Sequence, residues 1–264
     1  MTSLLAVENL SKRFGGLQAV ADVSLAVCQG EICSVIGPNG AGKTTLFNMI
    51  SGVLRPSGGR IVFDGTDMAG VSPSRFAGKG IGRTFQNLAL FKHGTVVENI
   101  LTGRHTHLRS NVLDAVIFFG RTRREEIEAR QRVEEIIEFL EIEHIRDAIV
   151  GTLSYGQQKR VELARALACE PKLLLLDEMV SGMNQEETED ISRFVLDIRE
   201  ELGITVLMIE HEMRIVMDIS DRVHVLNFGR KIAEGTPADI RRDPAVAEAY
   251  LGGHRAEATA QVGA

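Results

Sequence analysis

The chain has few cysteines, and their arrangement suits neither bridging nor metal binding. Cys28, Cys33 and Cys169 stand in apolar surroundings and form no Cys-x-x-Cys pair. Isolated thiols of this kind are typical of a reducing compartment, and they argue against both a disulfide-stapled fold and a zinc site. We therefore expect all three to be buried free thiols.

Long apolar runs and basic clusters are also lacking. No segment approaches the roughly 20 apolar residues that a membrane-spanning helix needs, and residues 1–14 do not resemble a signal peptide. Any work at a membrane is therefore expected from the water side. The net charge is −6, and the most basic stretch, Arg121 to Arg124, is followed at once by two glutamates. A primary nucleic-acid-binding protein is disfavoured on electrostatic grounds.

The composition that remains is that of a globular protein, with 44% apolar and 25% charged residues in a chain of 264. Alternating patterns over residues 4–14 and 16–27 and an apolar run over 30–37 predict strands, and Asp64-Gly65 predicts the turn of an edge strand. Helical periodicity then replaces strand signals over about residues 88–150, and it places Ile127, Val133, Ile136, Ile137 and Leu140 near one buried apolar stripe. The pattern predicts an α/β fold with an inserted helical subdomain.

Strand signals return at residues 171–178 and 204–212. Between them, Asn184 and Glu187 have the spacing of a capping box, and Gly203 is a natural helix end. A strand, a helix and a strand in this order predict a parallel pair. Residues 221–237 predict a closing hairpin, and residues 253–264 a frayed tail.

One glycine-rich stretch carries the clearest chemistry. It reads Gly-Pro-Asn-Gly-Ala-Gly-Lys-Thr-Thr between a predicted strand and a predicted helix, and it matches the P-loop pattern. Glycines let backbone amides turn inward around phosphate, the lysine reaches the β- and γ-phosphates, and the first threonine, Thr44, ligates Mg²⁺. The predicted nucleotide-binding residues here are Gly37, Pro38, Asn39, Gly40, Ala41, Gly42, Lys43, Thr44 and Thr45.

Two acids follow four leucines at the end of another predicted strand. Asp177 is expected beside the P-loop, where it can hold Mg²⁺ through water, and Glu178 can polarise an attacking water. The alternative is a pair of acids that simply ends a strand.

Other polar side chains occupy comparable positions. His211 can bond a γ-phosphate oxygen or the attacking water, or it can be a structural residue; a metalloprotease motif is excluded because Ile215 stands where a second histidine is required. Gln86 can sense Mg²⁺ or water, or it can be an ordinary loop residue. Phe14 can stack on adenine or belong to the core or an edge strand. No Asn-Lys-x-Asp segment is present to read guanine.

These segments together resemble the ATP-binding cassette family of transporter ATPases. "GPNGAGKTT", "RTFQN", "LSYGQQKR", "LLLLDE", "SGMN" and "IEHEM" match its Walker A, Q-loop, signature, Walker B, D-loop and H-loop in order. The match extends over about residues 4–252 and is closest to the ATPase subunits of high-affinity branched-chain amino acid importers. Tyr155, Met179 and Met183 depart from the widespread family pattern. Tyr155 is usual in this subfamily, whereas Met179 and Met183 bear on the rate and the dimer contact geometry more than on the chemistry.

The resemblance implies an ATPase that uses ATP and Mg²⁺, with catalytic Glu178, His211 and Gln86, and Mg²⁺ ligands Thr44, Gln86 and Asp177. It implies a head-to-tail dimer with a second ATP-binding subunit, the same chain or a paralogue, in which Ser154, Gly156 and Gln157 of one subunit complete the ATP site of the other. Ser154 and Gln157 also have capping-box spacing, which by itself predicts only a well-capped helix. Capping leaves Gly156 unexplained, because a glycine there costs backbone entropy unless something approaches closely.

Two integral membrane permease subunits, a solute-binding protein and a peripheral location on the cytoplasmic face of the inner membrane are implied as well. The resemblance implies that residues 1–252 form one nucleotide-binding domain, made of a P-loop core, an antiparallel β subdomain and the helical subdomain at about residues 88–150. The apolar stretch 111–120 is either a permease-docking patch or a buried subdomain core. The ATPase of a lipid exporter, an ATP-switched mechanical clamp and a P-loop kinase are the alternative functions.

Overall fold

The computed structural model of this protein describes residues 3–72, 74–85, 88–106 and 121–250. Gln86, the apolar stretch 111–120 and the tail 253–264 lie outside the described residues. Ten strands are described, in two sheets. They are β1 (Ser3–Phe14), β2 (Leu17–Cys28), β3 (Ile32–Ile36), β4 (Gly58–Phe63), β5 (Thr66–Asp67), β6 (Ile81–Arg83), β7 (Leu173–Asp177), β8 (Thr205–Ile209), β9 (Arg222–Asn227) and β10 (Arg230–Gly235).

The described residues also form α-helices between and after these strands. They are α1 (Lys43–Ile50), α2 (Ser74–Gly78), α3 (Val96–Leu101), α4 (Arg121–Phe139), α5 (Tyr155–Leu167), α6 (Gln185–Glu200), α7 (Met213–Ile219) and α8 (Pro237–Arg242). Short 3₁₀ turns cover Thr102–Thr106, Glu143–Ile145 and Val150–Thr152, and residues 244–250 are again helical. In the described part of the chain between β6 and β7, extended pairing is limited to one bridge between Thr95 and Ile149.

The first sheet is antiparallel, with strand order β2-β1-β4-β5. Asp64 and Gly65 form the predicted turn, both with positive φ. The edge differs from the prediction, because the two-residue β5 occupies it and β4 pairs on both sides. A strand of two residues leaves little backbone free at the edge of the sheet.

The second sheet has the order β10-β9-β3-β8-β7-β6 and is parallel from β9 to β6, with β9 and β10 closing as the predicted hairpin. Its central strands β3, β7 and β8 are buried on both faces. Leu174 and Leu176 of β7 pack into one apolar core with the helices, while Leu173 and Leu175 pack into a second core with the first sheet. The apolar run of β7 therefore follows from its central place between two layers.

The sequence-predicted parallel pair β7–β8 and the capping box of α6 are both present. Two smaller expectations are wrong. Ile127 of α4 was assigned to the buried stripe but is 47% exposed, whereas Val133 and Leu140 on the same helix are buried. The three cysteines, all within the described residues, form no disulfide bond; Cys33 is fully buried, whereas Cys28 and Cys169 are half-buried.

Candidate active site

The P-loop connects β3 to α1. Gly37 has φ 149°, and a Cβ added there would overlap the carbonyl oxygen of Leu226 in β9. Gly42 precedes α1 in a left-handed conformation with φ 99°, and no side chain caps the first amides of this helix. A glycine-rich loop that leads into an uncapped helix start is the backbone arrangement that binds anions in P-loops.

Lys43 lies inside this loop. Its Nζ donates to the carbonyl oxygens of Gly37 at 2.7 Å and Pro38 at 3.1 Å. Burial lowers the pKa of Lys43, against the opposing effect of the nearby Glu178 and Asp177 carboxylates. The ammonium group is therefore held within the loop and faces the two acids at the end of β7.

The remaining P-loop side chains differ in exposure. Asn39, Gly40 and Thr44 are exposed, Pro38, Gly42 and Thr45 are half-buried, and Ala41 is buried. The exposed hydroxyl of Thr44 stands in the first turn of α1. It is therefore accessible to a ligand that approaches the loop from solvent.

Asp177 ends β7 and is almost fully buried. Its Oδ2 accepts from the guanidinium of Arg83 at 2.9 Å, and its N–H donates to Oγ1 of Thr84 at 3.2 Å. Its other carboxylate oxygen, Oδ1, is buried and has no hydrogen-bond partner among the described residues. Burial raises the pKa of Asp177, and the hydrogen bond from Arg83 opposes that rise.

Arg83 belongs to this site although no sequence motif predicts it. Its guanidinium also donates to Oγ of Ser51, the C-cap of α1, at 2.5 Å, which joins β6, the end of α1 and β7 through buried polar contacts. The signal available in the sequence was a basic residue at the end of an otherwise apolar strand. Such a residue needs a buried acidic partner.

Glu178 and His211 meet at the rim of the second sheet. Glu178 Oε1 lies 2.6 Å from His211 Nε2. Glu178 has the left-handed φ of 50°, and its N–H donates to the carbonyl oxygen of Ile209 at 3.0 Å. A non-glycine residue in this conformation is uncommon outside turns and functional sites. The structure therefore brings together two of the three predicted catalytic side chains.

Phe14 lies at the end of β1, where the hairpin to β2 turns. Its side chain is 48% exposed, and Nζ of Lys12 lies 5.2 Å from its ring centroid. The same hairpin contacts the P-loop, because a Cβ added at Gly42 would lie 2.6 Å from the carbonyl oxygen of Ala19. Phe14 is therefore not a core residue, and its ring is accessible on the hairpin that contacts the P-loop.

The signature segment begins α5 with the predicted capping box. Oγ of Ser154 accepts from the Gln157 N–H at 3.2 Å, and Oε1 of Gln157 accepts from the Ser154 N–H at 3.0 Å. Gly156 is buried, and a Cβ added there would overlap the carboxylate of Glu187 in the first turn of α6. The close approach that Gly156 permits therefore comes from within the same chain.

A buried ion pair on α5, also not predicted from the sequence, contacts the backbone of Phe85, two residues after β6. Oε1 of Glu162 accepts from the Phe85 N–H at 3.0 Å, and Nζ of Lys159 lies 3.5 Å from the carbonyl oxygen of Phe85. Both side chains are fully buried, and their charged groups lie 3.7 Å apart. Helix α5 is thus joined to the residue that directly precedes Gln86.

A mostly apolar groove of about 990 Å³ lies between the edge strand β6 and the helical segment. Its walls include Val53, Phe76, Phe85, Phe91, Leu101 and Cys169. Phe91 and Val53 are exposed there. Contiguous apolar surface of this kind marks a site of interaction.

A family model described as "ABC transporter" matches residues 20–181, more than half of the chain. The chain belongs to the ABC transporter family. A second model, described as "Branched-chain amino acid ATP-binding cassette transporter", matches residues 230–256. This cassette therefore has the ATP-binding and ATP-hydrolysing fold of the family, and both the recognition and the fold class expected from the motifs are confirmed.

Two curated relatives cover nearly the whole cassette. The "High-affinity branched-chain amino acid transport ATP-binding protein BraF" of Pseudomonas aeruginosa is 45% identical over 94% of this chain and 98% of its own. The "Lipopolysaccharide export system ATP-binding protein LptB" of Haemophilus influenzae is 38% identical over 95% of this chain and 98% of its own. By overall sequence identity, the chain is therefore similar both to a protein named for branched-chain amino acid transport and to one named for lipopolysaccharide export.

Solved structures agree with this assignment. A nucleotide-free ATP-binding cassette has a TM-score of 0.82 at 36% identity and covers 94% of this chain and 99% of its own. A bacterial ABC transporter cassette whose structure is described as dimeric has a TM-score of 0.76 at 26% identity, over 88% of this chain and 98% of its own. Within the part of the chain that the structure describes, no helix is long and apolar enough to cross a membrane.

Proposed function

We propose that this cassette is the ATP-hydrolysing subunit of an importer for branched-chain amino acids or related small polar solutes. The observation that carries the choice of solute is the match of residues 230–256 to the branched-chain family model, together with 45% identity to BraF. The 38% identity to LptB favours the second candidate, the ATPase of a lipid exporter. The experiments below separate the two.

Glu178 is the proposed catalytic base, since its carboxylate projects at the rim beside the P-loop and can polarise an attacking water. His211, 2.6 Å from Glu178, orients that carboxylate and can bond a γ-phosphate oxygen. Lys43 and the loop amides bind the phosphates, and Phe14 offers its exposed ring to adenine. Gln86 keeps its proposed role as a sensor of water or metal.

The oxygen ligands available fit Mg²⁺. Asp177 Oδ1 is a buried carboxylate oxygen without a hydrogen-bond partner among the described residues, and the Thr44 hydroxyl is exposed at the helix start. No cluster of three or more His, Cys, Asp or Glu suited to a metal occurs in those residues. Mg²⁺ bound through one or two protein oxygens and substrate phosphates needs none. When bound, it would neutralise charge that develops on the phosphates.

The ATP site is proposed to be shared between two subunits. Ser154 Oγ uses one lone pair to cap α5, so its hydroxyl hydrogen stays available to a phosphate presented by a second ATP-binding subunit. The N-terminal dipole of α5 adds an attractive field for that phosphate. In this proposal Gln157 acts through the cap, and Gly156 keeps α6 close to α5.

Two membrane permease subunits are the proposed partners of the apolar groove, and the cassette would then lie on the cytoplasmic face of the inner membrane. The groove borders the helical segment 88–150, which we propose to be a subdomain within one domain spanning residues 1–252. ATP-driven closure would move this subdomain and so act on the permeases. A solute-binding protein would deliver the solute from the other side.

Replacing Glu178 by glutamine tests the chemistry. Glu178→Gln should reduce steady-state ATP hydrolysis at least about 100-fold while an ATP-bound dimer accumulates on size exclusion, because binding is retained and the base is lost. Glu143→Gln, on an exposed turn, serves as the control and should hydrolyse ATP normally. Hydrolysis by Glu178→Gln at close to the wild-type rate would remove Glu178 as the base.

Mixed dimers test the shared site. A Lys43→Ala chain mixed with a Ser154→Arg chain should regain activity that neither variant has alone, because one composite site stays intact. We choose Ser154 over Gly156 because a side chain at Gly156 collides with Glu187 of its own chain. Absence of any recovery would count against sharing between two copies of this chain.

Transport identifies the solute. Deleting the gene in the organism that encodes it should abolish high-affinity uptake of radiolabelled leucine, and the wild-type gene but not Glu178→Gln should restore it. Normal leucine uptake combined with a defective outer-membrane barrier would instead support the lipid-exporter function.

A further inference from the structure

Glu210 is a buried acid between two parts of the active site. It follows β8 directly, precedes His211 and is only 4% exposed. Its Oε1 accepts from the Val180 N–H at 3.3 Å, and the backbones of Met179 and His211 also hydrogen-bond to this carboxyl group. A buried carboxyl group is tolerated only when such donors compensate for lost water.

These backbone groups belong to the two segments that carry the catalytic pair. Met179 and Val180 follow Glu178, and the third backbone group belongs to His211 itself. Glu178 is held at φ 50°, a conformation that a glutamate leaves unless its surroundings fix it. The bond from the Glu178 N–H to Ile209 anchors one side of this residue, and Glu210 anchors the other.

We propose that Glu210 is a positioning residue that sets the Glu178–His211 pair by tying together the two backbone segments that carry it. Without an acceptor at this position, the Met179 and Val180 amides lose their partner. The backbone of Glu178 can then relax toward a right-handed conformation, which turns its carboxylate away from His211. Small displacements of a catalytic group reduce turnover more than they reduce binding.

The inference rests on the proposed roles of Glu178 and His211, and its test uses the intact cassette. Glu210→Met keeps the length of the side chain but removes the acceptor, and Glu210→Gln keeps one acceptor oxygen. We expect kcat for ATP hydrolysis to fall at least about 10-fold in Glu210→Met, with the KM for ATP within about two-fold of wild type. Glu210→Gln should stay within about three-fold of the wild-type kcat.

The control is Glu212→Gln, on the other side of His211, where the side chain is exposed and makes no cap bond to α7. It should leave both constants unchanged. If Glu210→Met does not fold, Glu210→Asp replaces it. The shorter acid keeps the charge but does not reach Val180 from the same backbone position, so kcat should fall at least about five-fold.

A folded Glu210→Met or Glu210→Asp protein with wild-type kcat would overturn the inference, and so would a glutamine variant no better than the methionine variant. This failure is distinct from that of the proposed function. If Glu178→Gln abolishes hydrolysis while Glu210→Met does not impair it, only the positioning role is lost. If Glu178→Gln still hydrolyses ATP, the catalytic assignment itself is wrong.

Discussion

Two helices of the cassette begin with residues assigned to phosphate, and their beginnings are built differently. Helix α1 starts after the left-handed Gly42, and no side chain caps it. Helix α5 starts with a complete capping box formed by Ser154 and Gln157. The first start leaves its amides to a ligand, whereas the second satisfies part of its own hydrogen-bonding needs.

The two helix starts also differ in how many of the proposed ATP-binding groups a single chain supplies around them. Around α1 the chain provides loop amides, Lys43, Asp177 and Glu178 together. At α5 it provides a stable helix start with a spare hydroxyl hydrogen, so this start needs no ligand to hold its shape. Substitutions in the P-loop that leads into α1 should therefore strongly destabilise a single subunit. Substitutions at the start of α5 should mainly affect the assembly of two subunits.

The largest effect is expected at Gly37. A Cβ in Gly37→Ala overlaps the Leu226 carbonyl and requires an unfavourable φ, so the free energy of unfolding should fall by about 3 to 5 kcal/mol. ATP binding should be lost as well. Urea denaturation and fluorescent-nucleotide titration measure the two effects. The control Gly40→Ala shares the positive φ, at 77°, but meets no atom within 4 Å, and should cost only about 1 to 2 kcal/mol.

The next largest effect is expected in the pH dependence of stability, which the buried Glu210 should cause. Burial raises the pKa of Glu210 from 4.5 to about 7. Between these values the folded state binds a proton that the unfolded chain releases, so the stability that this group contributes falls as pH rises through this window. Between pH 5 and pH 8 the free energy of unfolding should fall by about 2 to 3 kcal/mol because of this group. Urea unfolding at pH 5 and pH 8 should show it in wild type and not in Glu210→Gln; an equal pH dependence in both proteins would contradict the assignment.

The sequence predicts best what depends on neighbours in the chain. The P-loop, the capping boxes at Ser154 and Asn184 and the parallel β7–β8 pair all follow from short spacings or from element order. The contacts of Glu210 with Val180 and of Arg83 with Asp177 join segments that are distant in the chain, and no local pattern announces them. Periodicity also failed at Ile127, because a helical stripe indicates a face but not how far the neighbouring elements cover it.

Substitution of Gly156, near the start of α5, tests whether this glycine is needed for packing against Glu187. In Gly156→Ala the new methyl group displaces the Glu187 carboxylate, which accepts from the Asn184 N–H at 3.1 Å in the α6 capping box. Loss of that bond should outweigh the better helix propensity of alanine and cost about 1 kcal/mol. In a Glu187→Ala background the same change should instead be neutral or stabilising by about 0.5 kcal/mol. Thermal and urea unfolding of the four proteins in this cycle measure the reversal, and an unchanged cost in the double variant would exclude Glu187 as its cause.

The smallest effect on stability is expected at Ser154, although the effect on assembly should be large. Aspartate caps a helix as well as serine, so Ser154→Asp should change the free energy of unfolding by less than about 0.5 kcal/mol. The substitution replaces the hydroxyl donor by a negative charge, which should repel the γ-phosphate of an ATP bound to the partner subunit. ATP-dependent dimers of Ser154→Asp/Glu178→Gln should therefore not form. Thr95→Asp, at the capping box of α3, is the matched control and should dimerise normally. Dimers of equal stability with and without Ser154→Asp would mean that α5 begins as a capped helix and takes no part in the ATP site.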